Sequence, residues 1–473
     1  MNDFLIKIKN TIDKYKMIVR GDRIGVALSG GADSISLFWV LLELAAHYEA
    51  SLMILHVNHG LRGIESDKDE RFVKELGEKL NIAVQSRSIP LSERLKEKGG
   101  SIEDTARDMR YEYFEEAKNY WNLTKIALGH TLNDQAETVF MKILRGSGLS
   151  GMRGILPVRG EIYIRPLIET KKEEIISFLS TYDLAYVNDL SNLDDCFLRN
   201  RVRSKLIPEL IESFNPRLLR NIGQMTDIMR EDEDFISKMM MHTLSRWRID
   251  MNRRPVALDL AEFNKCHMAV KRRILRFLIE NISEEKRELG YRHIQSIFNI
   301  INGKKPHGMV DIGQGTIVQR EYDRLLINNI RENASRRSNS PYSAYKECNF
   351  MYPVTIPSLI HIEEISRSII VSFVELRAVD YTLKDTAFMD YNKIEFPLKV
   401  RNFIPGDSIA PLGLGGTKKI KSLFIDNKIP RRHRGCMPLL EDRESILWVA
   451  GICLSDKVKI TEETKKILKA EII

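Results

Sequence analysis

Between Arg23 and about Leu184, short apolar runs alternate with amphipathic stretches, a rhythm that predicts strands and helices by turns. The strand candidates are Ile24–Leu28, Leu52–Val57, Ala83–Ser88 and Lys125–Leu128. Ile35–Leu44, Asp67–Leu80 and Thr105–Asn119 lie between them, with apolar positions at helical spacing. The alternation predicts an α/β fold, a parallel Rossmann-like sheet with helices on both faces. Ligands of such sheets bind at the carboxyl ends of the strands. Those ends carry Ser29-Gly30-Gly31-Ala32-Asp33-Ser34, His56-Val57-Asn58-His59-Gly60 and Gly129-His130.

The pattern changes after Pro208. Ile211 to Ile249 reads as helical, and Met225, Ile228, Met229, Ile236, Met239 and Met240 are expected to serve helix packing. Helices are predicted at Met268–Glu280 and around Tyr291–Ile301, and a hairpin over Thr316–Asn328. An Arg-, Ser- and Asn-rich stretch from Ile330 to Ser343 reads as a connector. Beyond it the chain is mostly β-patterned, at Val354–Ile356, Ser368–Leu376, Leu398–Arg401 and Ile446–Cys453. The expected division is an α/β domain over 1–210, a mainly helical middle domain over 211–335 and a smaller β-rich domain over 345–473.

Length agrees with several domains, since 473 residues exceed one ordinary core. A hydrophobic fraction of 43% with 29% charged residues describes a globular chain rather than a disordered one. No apolar run approaches the ~18 residues of a membrane span. Met1 to Val19 reads as an amphipathic helix with no small-residue cleavage site after it, so a cytoplasmic location and no membrane partner are expected. The five cysteines are far apart and form no C-x-x-C pair, which argues against a disulfide framework, structural zinc or an iron–sulfur cluster. A net charge of +8 suits a polyanionic partner. The densest basic cluster is Lys418, Lys419 and Lys421 with Arg431, Arg432 and Arg434, around apolar Leu423-Phe424-Ile425. It reads as an RNA-backbone contact or as a solvated charged loop.

The loop at 29–34 joins an apolar strand to a helix start with two glycines and two hydroxyls, the parts of a phosphate cradle. It holds no lysine and matches neither G-x-x-x-x-G-K-[ST] nor G-x-G-x-x-G. Asp33 beside a polyphosphate is repulsive unless it holds Mg²⁺ or a cationic partner. The plainer reading is a Gly-Gly turn whose Asp and Ser cap the next helix. Asp134 and Glu137 stand three apart on a helix that opens just after His130, so all can face one mouth. They can hold Mg²⁺, orient a nucleophilic amine, or simply favour a helix N-terminus. Arg107 and Arg110, beside Tyr111, can clamp a phosphate or make surface ion pairs.

Together these residues resemble the tRNA(Ile)-lysidine synthase family of the N-type (PP-loop) ATP pyrophosphatases. The resemblance rests on the Ser29–Ser34 loop, His56-Val57-Asn58-His59-Gly60-Leu61-Arg62 and Ala106-Arg107-Asp108-Met109-Arg110-Tyr111. It continues through His130-x-x-x-Asp134-x-x-Glu137-Thr138, Arg165-Pro166-Leu167, and Asp189-x-Ser191-Asn192 with Arg199-Asn200-x-x-Arg203. In the C-terminal part, Arg401-x-Phe403-x-Pro405-Gly406-Asp407, Lys418-Lys419 and Lys428-Ile429-Pro430 also match. The resemblance implies ATP and Mg²⁺ as cofactors, and free L-lysine and an isoleucine tRNA with a CAU anticodon as partners. ATP would adenylate the first anticodon cytidine, and lysine would displace AMP to leave lysidine. It implies that Ser29, Gly30, Gly31, Ala32, Asp33 and Ser34, with His56 and His130, line the nucleotide site, and that Asp33 positions the metal. Asp134 and Glu137 would bind the lysine ammonium or take its proton. Arg110, with Arg203 assisting, would stabilise phosphoryl charge. The alternative within the superfamily is a tRNA thiolase, against which the missing C-x-x-C counts. A homodimer is left open.

Overall fold

The computed structural model describes all residues except 1, 59, 61–63, 90–101, 188–197, 253, 283–288, 330–347, 381 and 384. It contains two compact units, Met1–Lys238 and Met239–Ile473. In the first, α1 (Asp3–Lys14) precedes the alternating series β1 (Arg23–Ala27), α2 (Ala32–Tyr48), β2 (Ser51–Asn58), α3 (Ile64–Leu80) and β3 (Val84–Ser88). The series continues with α4 (Ile102–Trp121), β4 (Lys125–Ala127), α5 (Leu132–Leu144), β5 (Val158–Arg159), β6 (Tyr163–Ile164) and α6 (Lys172–Thr181). The six strands form one sheet in the order β3-β2-β1-β4-β6-β5. All pairings are parallel except β5 with β6. The predicted strands are therefore present, and the short β5–β6 hairpin is an addition the hydrophobic pattern did not show.

Burial explains the sheet's central position. Ile24, Val26, Leu28 and Ile54 pack with Ile35, Leu37, Phe38 and Leu41 of α2, each at most 2% exposed. A fully buried side chain of this kind contributes ~1.5–3 kcal/mol. On the other face, α4 presents Tyr113, Phe114 and Ala117 to Met53, Leu55 and Ile126. Gly25 on β1 lets this layer approach, since a Cβ there would lie 2.7 Å from Leu55 Cδ1 and 2.8 Å from Leu123 Cδ1. Beyond α7 (Ile207–Ser213), the long α8 (Leu218–Trp247) packs Leu219 and Ile222 against Leu132, Ala136 and Val139 of α5.

The second unit begins with α9 (Met268–Ile282) and α10 (Tyr291–Asn302) over an antiparallel sheet, β7 (Val256–Asp259), β8 (His307–Gly313), β9 (Thr316–Glu321) and β10 (Arg324–Asn329). Its order is β7-β10-β9-β8, so the predicted hairpin is the centre of a larger sheet. Among the described residues, the rest is a short two-stranded sheet, β16 (Ser408–Ile409) with β17 (Lys418–Lys419), and two larger antiparallel sheets. One joins β11 (Met351–Val354), β15 (Leu398–Asn402), β18 (Pro438–Glu441), β19 (Ile446–Val449) and β20 (Cys453–Leu454). The other orders β12 (Ser358–Ile362), β13 (Arg367–Val374), β21 (Ile467–Ile472) and β14 (Thr386–Asp390). Val371, Met389, Val400, Leu447 and Leu468 form the core between them.

One expectation is overturned. Cys348 and Cys436 form a disulfide across 88 residues of sequence, with Cα atoms 5.1 Å apart. They meet because β11, which follows Cys348, and β18, which follows Cys436, both pair with β15. Sequence spacing does not register a contact that sheet pairing creates.

Candidate active site

The loop between β1 and α2 is shaped by its glycines. Gly30 adopts φ +91°, where an L side chain is strained, and its carbonyl accepts a hydrogen bond from the Val187 amide at 2.9 Å. The Ser29 amide donates to Ser34 Oγ at 3.1 Å, and the Ser34 hydroxyl donates to the Gly31 carbonyl at 2.9 Å. Gly31 is the N-cap of α2 and has no side chain to cover the amides of the first turn. Those amides and the helix dipole are oriented as an anion would require.

Asp33 sits in that first turn, and its Oδ1 is buried with no hydrogen-bond partner. Burial pushes its carboxyl up to about 6, with Asp134 and Glu137 acting in the same direction and Lys172 against it. Lys172, at the start of α6, thus brings to the site the positive charge that the loop lacks. Nothing at 29–34 points to it, because it lies ~140 residues downstream. His56, on β2, is 3% exposed, and its Nδ1 donates to the Leu28 carbonyl at 2.8 Å. Burial lowers its pKa, so the ring is neutral and Nε2 is an acceptor without a partner.

The next strand carries the second half of the site. Gly129 follows β4, and a Cβ there would sit 3.3 Å from backbone atoms of Asp33 and Ser34. This close approach sets the start of α5 against the loop. Thr131 and Asp134 form a capping box, with Asp134 Oδ2 accepting from the Thr131 amide at 2.8 Å and hydroxyl at 2.9 Å. Asp134 Oδ1 faces Arg199 and Arg203, each at 3.5 Å. Burial alone would raise the Asp134 carboxyl, but the hydrogen bonds from Thr131 and the charge of Arg199 hold it below the usual range. Glu137, one helical turn on, is 2% exposed. Its Oε2 accepts from Arg199 Nε at 2.9 Å and Arg203 Nη2 at 3.0 Å, and its Oε1 accepts from Arg203 Nε.

Arg203 stands in a π-helical stretch, Val202–Leu206, directly after the short helix Leu198–Arg201. Such single π turns occur often at functional sites. Arg199 and Arg203 are four apart, so both reach the same pair of acids. His130 is flanked by Arg165, whose Nε donates to its Nδ1 at 3.3 Å, which leaves the ring proton on Nε2. Burial, with Arg165, Arg107 and Arg199, pushes the His130 pKa down to about 3 despite Asp134.

The structure thus brings Ser29–Ser34, His56, His130, Asp134, Glu137 and Arg203 to one end of one sheet. Arg110 is exposed on α4, one turn after Arg107. Motif residues 189, 191 and 192, and 59, 61 and 62, lie outside the described residues. Lys172 is the site residue that sequence reasoning did not name, and Arg165 and Arg199, though part of the matching motifs, were given no role in the site. For Arg199 the signal was present, as the i to i+4 spacing with Arg203.

In the second unit, the basic cluster is partly engaged in its own fold. Lys418 pairs with Asp426 at 2.6 Å and Lys419 donates to the Gly406 carbonyl at 3.0 Å. Arg434 donates to the Ile429 carbonyl at 2.9 Å and to the Tyr322 hydroxyl at 2.8 Å. Lys421 and Arg431 are exposed, and the Arg432 side chain lies outside the described residues. Among the described residues, no helix is long and apolar enough to cross a membrane.

No group of three or more His, Cys, Asp or Glu side chains among the described residues could hold a metal unaided. The bare, buried Oδ1 of Asp33 nevertheless fits a divalent cation that takes its other ligands from substrate phosphates, as Mg²⁺ commonly does.

Comparison with known proteins assigns the architecture. Residues 2–210 match the PP-loop domain family, 258–326 the TilS substrate binding domain and 398–470 the TilS substrate C-terminal domain. The chain is 33% identical over 466 residues to the tRNA(Ile)-lysidine synthase of Clostridioides difficile, covering 98% of each chain. It is also 33% identical to that of Caldanaerobacter subterraneus, over 98% of this chain and 97% of the relative. A crystal structure of the TilS C-terminal domain is 29% identical, covering 26% of this chain and 96% of that one, with a TM-score of 0.25. The full-length relatives set aside the thiolase alternative. With that end-to-end likeness and the three domains in order, the chain belongs to the tRNA(Ile)-lysidine synthase family.

Proposed function

We propose that this enzyme uses ATP to join the ε-amine of free L-lysine to carbon 2 of the first anticodon cytidine in a CAU-bearing isoleucine tRNA. One observation carries the reading. The anion-binding loop after β1 and the acids after β4 open at the same end of two hydrogen-bonded neighbouring strands, and the close approach at Gly129 holds them together. Phosphate activation and amine capture therefore share one mouth. We assign 1–210 to catalysis, 211–335 and 345–473 to tRNA recognition.

In the first step the cytidine O2 attacks the α-phosphorus of ATP and pyrophosphate leaves. The loop amides and the Ser29 and Ser34 hydroxyls would hold the leaving group, and Lys172 would supplement them. Asp33 would hold Mg²⁺, which when bound neutralises polyphosphate charge. The neutral His56 would present Nε2 as an acceptor to a donor group of the nucleotide. In the second step the lysine Nε attacks carbon 2, the carbon–oxygen bond breaks, and AMP leaves. An amine must be neutral to attack, so a carboxylate has to take its proton. Glu137 is engaged by two arginines on both oxygens, whereas Asp134 Oδ1 has only 3.5 Å contacts. Asp134 is thus the better acceptor for the ammonium, and Glu137 the group that orients Arg199 and Arg203. Arg203 and Arg110 would stabilise the charge on the adenylate.

The test measures multiple-turnover AMP and pyrophosphate release with ATP, lysine and an isoleucine tRNA transcript, omitting each in turn. Release should need all three, and the product nucleoside should carry lysine. Sustained release without lysine, or incorporation of sulfur or ammonia in its place, would overturn the reading.

A further inference from the structure

Three arginines that the reaction scheme does not use converge on one phenol ring. Arg107 lies with its Cζ 5.4 Å from the Tyr111 ring centre, and Arg159 with its Cζ at 5.2 Å. Arg165 donates through Nη2 to the Tyr111 hydroxyl at 3.4 Å. They arrive from α4, from β5 and from the end of β6, so only the fold assembles them. Arg165 is 2% exposed and its Nη1 is anchored on the Leu156 carbonyl at 2.6 Å, while Arg107 and Arg159 are exposed at the rim.

The charge balance of this cluster is unlike that of its neighbour. Arg199 and Arg203 are neutralised by Asp134 and Glu137. Among the described residues no ion pair involves Arg107, Arg159 or Arg165, and Arg107 and Arg159 both disfavour charge on Arg165. Glu115, also on α4, is engaged by the Tyr163 hydroxyl at 2.7 Å and by Lys118 at 3.3 Å. Gathering three guanidiniums with no acid paired to them among the described residues costs repulsion that a bound anion removes.

We infer that Arg107, Arg159 and Arg165, gathered around Tyr111, bind a backbone phosphate of the RNA strand beside the nucleotide being modified. Two features favour RNA over the other anions of the reaction. The sheet order β1-β4-β6 sets Arg165 two strands from the anion loop, roughly 10 Å at ~4.8 Å per strand. The loop serves the ATP phosphates, and a flanking phosphate of the target strand must pass to one side of it. An aromatic ring flanked by guanidiniums is also the surface that single-stranded RNA meets in its protein partners. Arg165 additionally donates to His130 Nδ1, so the same residue links this rim to the catalytic mouth.

The inference rests on an isoleucine tRNA being the substrate, and wild-type lysidine formation judges that premise separately. The inference itself is judged by binding of the transcript to wild type, to Arg107→Gln/Arg159→Gln and to Arg159→Lys, at several KCl concentrations. The double variant should bind about tenfold or more weakly, with the salt slope reduced by ~0.7 for each phosphate that is no longer neutralised. Arg159→Lys should keep the slope. A transcript with one uncharged methylphosphonate beside the target cytidine should weaken wild type equally and weaken the double variant no further. Unchanged affinity and slope would overturn the inference. So would unchanged RNA binding with a raised KM for ATP, which assigns the cluster to nucleotide phosphate, or for lysine, which assigns it to the amino-acid carboxylate.

Discussion

Asp33 and Glu137 are acids at the same end of one sheet, and their surroundings are opposite. Asp33 has a buried oxygen with no partner, and its carboxyl is pushed up to about 6. Glu137 is 2% exposed, yet both its oxygens accept from guanidiniums. Both acids hold oxygens out of solvent, and it is their partners that differ. One carboxylate already has its cations from the fold. The other feels Lys172 and Arg203 but has an oxygen with no hydrogen-bond partner among the described residues, an opening that suits a bound cation.

The sharpest break of that contrast is Asp33→Asn. Turnover should fall by ~10³-fold, the scale on which a positioned charge in a reacting site is lost. Stability should move the other way. The folded carboxyl titrates at about 6 and the unfolded one near ~3.9, so its contribution is fully present below the lower value and is lost as pH rises through the higher. Asparagine has no such loss. Without ATP or metal, the variant should be about 1–3 kcal/mol more stable than wild type above pH 6 and equal to it near pH 3. Urea unfolding across that range checks the sign. A variant less stable at pH 8 would mean that Asp33 has a cationic partner from the fold.

Glu137→Gln should have the opposite effect. Removing one member of a buried pair costs ~3–5 kcal/mol, and guanidiniums about a third exposed reduce this to about 1–3 kcal/mol. Because Arg199 and Arg203 both lose their anchor, turnover should fall about 10–100-fold, with a larger effect on kcat than on the KM for ATP. A double-mutant cycle with Arg199→Gln should return a coupling near 1 kcal/mol or more. Additive losses would show that the arginines hold their positions without Glu137.

How much of this was legible depends on whether the contact is local. Ser29–Ser34 announces itself because strand, turn and helix start are contiguous, and the acids of α5 do so because i and i+3 share a face. Of the four predicted strands, β1, β2 and β4 are runs that the layers bury, whereas β3 is a half-exposed edge strand. Lys172 and the contacts Arg165–His130 and Arg199–Glu137 were not legible, because sheet order and the approach of Gly129 to the loop bring these groups in from afar. The middle sheet was half legible. Its hairpin β9–β10 is local, whereas β7 joins β10 across ~65 residues and β8 buries little but Ile312. Cys348 and Cys436 belong to the same class of contact.

The same contrast, charges met by the fold against charges facing solvent, gives the smallest expected effect in the C-terminal cluster. Lys418 is paired with Asp426, whereas Lys421 is exposed and, among the described residues, makes no ion pair. A lysine already neutralised releases few counterions when RNA binds, and one facing solvent releases its full share. Lys421→Gln should therefore weaken transcript binding a fewfold and reduce the salt slope by up to ~0.7, while Lys418→Gln changes both less. Paired titrations at about 50 and about 200 mM KCl resolve the difference. If Lys418→Gln proves the more damaging, the Asp426 pair opens on binding, and a neutralised lysine in this cluster is not a spent one. That outcome would carry the lesson of Glu137 over to Lys418, since a charge held by the fold can be held in reserve for a ligand.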